Sequence, residues 1–129
     1  MKKIDAFNHI WPKPFFDALI GHIGEMTDIT LRSGAVPMMT DLDRRFEVMD
    51  MFGSEYCQIL SLASPPYEKY ANPEWSLKLA TIASDSMADL CRQYSDRFPG
   101  FIGTAVMSNP QQMVEEARRN IEDFGALGM

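Results

Sequence analysis

The sequence predicts an α/β protein built on a parallel sheet, and three observations carry that prediction. Strand-like runs alternate with amphipathic helical segments in the order strand, helix, strand, helix, strand, helix. Residues 56–62, Tyr-Cys-Gln-Ile-Leu-Ser-Leu, form a nearly continuous apolar run of the kind found when both faces of a strand are covered. The same punctuation, Asn-Pro ahead of a helical pattern, occurs at Asn72-Pro73 and again at Asn109-Pro110. Alternation of this kind implies right-handed strand–helix–strand crossovers.

Each element has a local reason. Residues 3–7 place Ile4, Ala6 and Phe7 among polar neighbours and read as a first strand, broken by Asn8-His9 and Pro12. Residues 15–20 have the composition of a short helix or an aromatic-rich turn, ending near Gly21 or Gly24. Residues 24–39 carry no sustained period and read as a loop or insertion. From Thr40, which with Asp43 approximates a capping arrangement, Leu42, Phe46 and Met49 recur at helical spacing up to Gly53. The strand at 56–62 ends at Ser64-Pro65-Pro66. Asn72 as N-cap, Pro73 at the first helical position and Glu74 in the first turn open a long helix with Leu79, Ala83, Met87, Leu90 and Tyr94 along one side. After Pro99-Gly100, residues 101–106 form the third strand. Asn109 then opens a helix carrying Met113, Val114, Ala117, Ile121 and Phe124, and Gly125 stops it. Residues 126–129 read as the start of a fourth strand.

Length and composition narrow the function classes. A chain of 129 residues, 46% hydrophobic, can bury an ordinary core and is expected to be one unit. A net charge of −6 and the absence of a basic stripe interleaved with aromatics disfavour nucleic acid and anionic membrane as partners. Without an apolar leader or a long apolar run, the expectation is a soluble, cytoplasmic protein. Cys57 and Cys91 have neither metal-site nor disulfide spacing and read as small buried apolar residues, while the ten methionines read as core filler. A complete eight-fold barrel typically needs ~250 residues. The chain is therefore either a small open α/β sheet or the N-terminal portion of a longer barrel.

The run Ile4-Asp5-Ala6-Phe7-Asn8-His9-Ile10-Trp11-Pro12 resembles the opening of amidohydrolase-related proteins of the aminocarboxymuconate-semialdehyde decarboxylase type, whose first strand ends Ile-Asp-x-His-x-His with a Pro following. Asp43-Arg44-Arg45-Phe46-Glu47-Val48-Met49-Asp50-Met51-Phe52-Gly53 is similar to the family's first helix, with its spaced Arg, Met-Asp and Gly. Gln58-Ile59-Leu60-Ser61-Leu62 is similar to its second strand. Asn72-Pro73, Arg97-Phe98-Pro99-Gly100-Phe101 and Gly125-Ala126-Leu127-Gly128 continue the likeness in order. The resemblance implies that residues 1–129 are the N-terminal portion of a single metal-dependent (β/α)₈ TIM barrel, with about three βα units present. It also implies lyase (decarboxylase) or hydrolase chemistry on a small unsaturated or aromatic carboxylate. The implied cofactor is a divalent metal, zinc by expectation, held at the C-terminal ends of strands by two first-strand histidines, a later histidine and a late aspartate. Here Phe7 stands where the first of those histidines would be, so His9 alone is carried over as a metal ligand.

Other candidates follow from position. Trp11, directly after His9, is a candidate substrate-pocket wall, and Arg32 a candidate clamp for the substrate carboxylate, since a guanidinium fork matches a carboxylate. Asp5 is assigned to capping backbone N–H groups. Asn8 would face away from Phe7 and His9 on a regular strand. Arg44 and Arg45, among Asp41, Asp43 and Glu47, read as exposed helical ion pairs. No G-x-S-x-G elbow surrounds Ser61 or Ser64, which disfavours a serine hydrolase. The competing reading is a non-catalytic, degenerate barrel fragment whose uncovered sheet edges lead it to associate, with itself as a homo-oligomer or with another chain.

Overall fold

A computed structural model of the chain describes residues 1–23, 28–63, 67–69 and 71–129. Its centre is a parallel three-stranded sheet in the order β1 (Lys3–Asp5), β2 (Tyr56–Leu60), β3 (Gly100–Phe101). Helices connect the strands: α1 (Lys13–Ile23), α2 (Asp28–Gly34) and α3 (Leu42–Asp50) lie between β1 and β2, α4 (Pro73–Gln93) between β2 and β3, and α5 (Pro110–Arg118) after β3. A fourth parallel position begins at Gly128, which bridges to Ile102, while Leu127 N–H donates to the Phe101 carbonyl. The expected alternation is present, whereas the expected fourth strand is reduced to this single bridge and the third strand, expected over 101–106, pairs only at Gly100–Phe101 with a further bridge at Ile102.

The caps are largely those the sequence announces. Asn72 Oδ1 accepts from the Trp75 N–H and Asn109 Oδ1 from the Gln112 N–H, each ahead of a proline in the first turn. The stop residues Gly53 and Gly125 have φ of 94° and 68°, a left-handed conformation that side chains resist. For α3 the cap is Asp41 rather than Thr40, its carboxylate accepting from Asp43 and Arg44 N–H. Thr40 is already committed to the 3₁₀ turn at Pro37–Met39, where its N–H bonds Pro37. Within 24–39, α2 and that turn replace the expected loop; Gly24 and Ser64 lie outside the described residues. The last helix differs too, passing from α5 into a π-helical turn over Arg119–Asp123.

Two apolar clusters hold the layers together, and α4 spans both. Its first half sets Leu79, Ala80 and Ala83 against Trp11, Phe15, Leu19, Ala63 and Val106. Its second half sets Met87 and Ala88 against Ile10, Met49, Leu60, Phe98, Phe101 and Ala126. The spacing of four between Phe15 and Leu19 puts both on the buried side of α1, against α4.

The first strand is shorter than its sequence pattern and contains an irregularity. Asp5 pairs with Gln58, and the next pairing is Ile10 with Leu62, so the first chain advances five residues while the second advances four. Residues 6–9 thus form a one-residue bulge, which re-aims side chains that regular alternation would place elsewhere.

Of the two thiols expected to be buried, Cys57 is and Cys91 is only partly so. Cys57 is fully buried, and burial pushes the half-buried Cys91 thiol up to about 11. At neutral pH a thiol with that pKa is thiolate in on the order of one molecule in ten thousand. Neither cysteine is expected to react with iodoacetamide in minutes at pH 7 in the native protein, whereas both react in urea. Rapid native labelling of one equivalent, read by mass spectrometry, would contradict this packing.

Candidate functional site at the ends of the first two strands

The bulge brings residues 6–9 beside the C-terminal end of β2. Asp5 caps it: Oδ1 accepts from the Phe7 N–H at 3.0 Å, as expected, and Oδ2 accepts from the Tyr56 hydroxyl at 2.8 Å. Phe7 points outward with 87% of its surface exposed, and its ring meets the His9 ring edge-on at 5.5 Å. His9 is exposed, with Nδ1 2.9 Å from Ser61 Oγ, the residue immediately after β2. Ser61 Oγ in turn donates to the Asn8 carbonyl at 2.6 Å. Nε2 of His9 has no hydrogen-bond partner among the described residues.

Beneath this surface lies a polar network that the helical spacing did not reveal. Arg45, read from sequence as an exposed ion-pairing residue, is buried at 4% exposure; only its neighbour Arg44 makes the surface pair, with Glu47 at 2.6 Å. The Arg45 guanidinium donates to the Met38 carbonyl at 3.1 Å, Asn8 Oδ1 at 3.2 Å, Gln58 Oε1 at 2.6 Å and the His9 carbonyl. All four acceptors are neutral. Desolvation therefore lowers the Arg45 pKa to about 10, opposed by Tyr56 and Asp5, and leaves it charged at neutral pH. The Asp5 carboxylate is linked to Arg45 through neutral groups, since Gln58 Nε2 donates to Tyr56 Oη at 3.2 Å and Tyr56 donates to Asp5. The same environment raises the Tyr56 pKa, burial being the main cause.

Asn8, which regular alternation would aim away from the site, is the junction of this network. Its Nδ2 donates to the Asp5 and Ile59 carbonyls at 3.1 and 2.8 Å, and its Oδ1 accepts from Arg45. Two carbonyls on one side and a guanidinium on the other leave the amide a single orientation. Asn8, His9, Met38, Arg45, Tyr56 and Gln58 line a cavity of about 270 Å³.

The sequence-predicted site residues do not converge. Trp11 is fully buried in the core, stacked on Phe16 at 5.5 Å, with Nε1–H donating to the Ala63 carbonyl at 3.1 Å. It borders a larger groove of about 680 Å³ between α1, α3 and α4, whose described lining does not include His9. Arg32 is exposed on the last turn of α2 and is not among the described residues lining the His9 cavity. His22, the other histidine, stacks on Trp75 at 4.3 Å. Ser61, Asn8 and Arg45 are the residues that sequence reasoning missed.

As a metal site, the described residues fall short of a full ligand set. His9 offers one imidazole, Phe7 offers no donor, and no group of three or more His, Cys, Asp or Glu among the described residues is arranged to hold a metal ion. No helix among the described residues is long and apolar enough to cross a membrane.

No family model matches the sequence. Among curated proteins, it is similar to gamma-resorcylate decarboxylases: 31% identical over 86 residues to that of Rhizobium sp. (strain MTP-10005) and 33% over 86 residues to that of Rhodococcus jostii (strain RHA1). Each alignment takes in 67% of this chain and 26% of the relative, so the chain spans about a quarter of the length of the curated relatives it matches. Among solved structures, 5-carboxyvanillate decarboxylase from Sphingomonas paucimobilis superposes with a TM-score of 0.80 at 20% identity, over 99% of this chain and 42% of that one. The dihydroxybenzoic acid decarboxylase of Polaromonas sp. JS666, solved with manganese and 2-nitroresorcinol, gives 0.74 at 25% identity over 98% and 37%. A structure of amidohydrolase II gives 0.70 at 22% identity over 99% and 39%. The parallel strand order and these likenesses agree: the chain is similar to aromatic-acid decarboxylases and has the fold of an N-terminal portion of their (β/α)₈ barrel.

Proposed function

We propose that this chain is the N-terminal part of a decarboxylase acting on a small aromatic carboxylate, with His9 as one ligand of a divalent metal. The observation that carries the reading is the His9 imidazole itself: it stands at the ends of the first two strands with Nε2 unengaged, in a chain related to aromatic-acid decarboxylases. In the relative from Polaromonas the bound metal is manganese, and zinc is our choice for this protein because imidazole suits it. The remaining ligands come from later strands of the barrel. When bound, the metal would act as a Lewis acid that stabilises negative charge at the substrate. The chain's own part is to hold the imidazole rigidly at the strand ends.

Phe7 supports a second reading, a barrel that has lost catalysis. An exposed aromatic at the neighbouring position offers the metal nothing, and loss of a ligand weakens binding. Metal analysis of the protein purified at its full encoded length decides between them. Expected is one divalent metal per chain, lost in His9→Ala, with release of CO₂ from 2,6-dihydroxybenzoate reduced by about 10- to 100-fold or more. No metal in either protein and no CO₂ release would overturn the decarboxylase reading in favour of the second.

A further inference from the structure

We propose that Ser61 is a positioning residue that fixes His9 as the tautomer protonated on Nδ1, so that the Nε2 lone pair faces outward at the strand ends. The argument is a count of protons. Ser61 carries a single hydroxyl proton, and its Oγ lies 2.6 Å from the Asn8 carbonyl and 2.9 Å from His9 Nδ1. A carbonyl only accepts, so the shorter contact takes that proton. The oxygen then has only lone pairs to offer His9, and a 2.9 Å contact requires the ring nitrogen to be the donor. The opposite assignment would leave two oxygen atoms 2.6 Å apart with no proton between them.

The carbonyl that makes this choice is itself held. The Asn8 side chain is fixed by Asp5, Ile59 and Arg45, and the next carbonyl along, that of His9, accepts from Arg45 as well. The carbonyls of Asn8 and His9 thus both have partners, Ser61 just past the end of β2 and Arg45 in α3. In histidine, the hydrogen bond at one ring nitrogen decides what the other presents. The consequence, that His9 meets a metal through Nε2, rests on the proposed function; the tautomer itself does not.

Ring-nitrogen NMR of the uniformly ¹⁵N-labelled full chain, at a pH where imidazole is neutral, reads the tautomer directly. Expected for His9 is a proton-bearing Nδ1 and a pyridine-like Nε2, with His22, stacked on Trp75, serving as internal reference. Ser61→Ala is expected to shift the proton towards Nε2, and Ser61→Thr, which keeps the hydroxyl, to restore the native pattern. A native His9 with its proton on Nε2 would overturn the proposal, and so would ring shifts unmoved by Ser61→Ala. If Ser61→Ala does not fold, the native spectrum and that of Ser61→Thr still decide. Failure to find metal in the protein would defeat the functional reading and leave this tautomer untouched, so the two failures are distinguishable.

Discussion

Arg45→Met is expected to destabilise the protein by about 3 kcal/mol, a large share of the 5–15 kcal/mol that holds a typical domain together. The substitution removes donors from Met38 O, Asn8 Oδ1, Gln58 Oε1 and His9 O, all in the protein interior or at its margin. A bond to a charged donor contributes roughly 1.5–3 kcal/mol, and a buried acceptor left unpaired costs about 1–3 kcal/mol. Those losses do not simply add, because the desolvation that drives the Arg45 pKa down to about 10 is relieved when the guanidinium goes. The balance still falls against the variant, since one methionine cannot satisfy four acceptors on three different segments. Arg45→Lys keeps the charge but not the fork and is expected to recover only part of the loss. Urea unfolding midpoints measure this series, and a methionine variant within about 0.5 kcal/mol of the native protein would show that Arg45 is not the junction described.

The second large effect concerns Trp11. Trp11→Ala is expected to cost about 3–5 kcal/mol, the range for truncating a fully buried aromatic. The indole fills the cluster formed by Phe15, Leu19, Leu79, Ala83 and Val106, and its N–H satisfies the Ala63 carbonyl. Trp11→Phe keeps most of the volume but leaves that carbonyl unpaired, and is expected to cost roughly 1–3 kcal/mol. Denaturation followed by circular dichroism checks both variants. Trp11→Phe also removes the buried one of the two tryptophans, so the remaining emission should come from the half-buried Trp75. Unchanged stability in Trp11→Ala would refute the core placement.

Much of the fold was legible because its signals are local. Asn72-Pro73 and Asn109-Pro110 announce helices through the geometry of a single turn, and Gly53 and Gly125 stop theirs through a backbone conformation that few other residues adopt. The apolar run of β2 needs only to be covered on both faces. What was misread depends on which neighbours arrive from elsewhere. Spacing says that Arg44 and Arg45 can each reach an acidic residue along the helix, but not which side of the helix is covered. A signal was present nonetheless: Leu42, Arg45 and Met49 follow one another at three and four residues, so Arg45 occupies the stripe that faces inward. A charged residue in an apolar stripe points to a polar network below. Asn8 left no such mark, because its orientation is set by an irregularity in strand pairing rather than by its own segment. Ser61 became informative only once the bulge had brought His9 alongside it.

That extra residue has a bearing on how the segment tolerates change. Side chains between Asp5 and Ile10 can vary wherever they face solvent, as Phe7 does, without touching the sheet. Removing any one of them is another matter: the first chain would then advance four residues against four, the bulge would be lost, and the side chains of this stretch, His9 among them, would be re-aimed. The stretch carrying the imidazole is thus permissive in composition and strict in length.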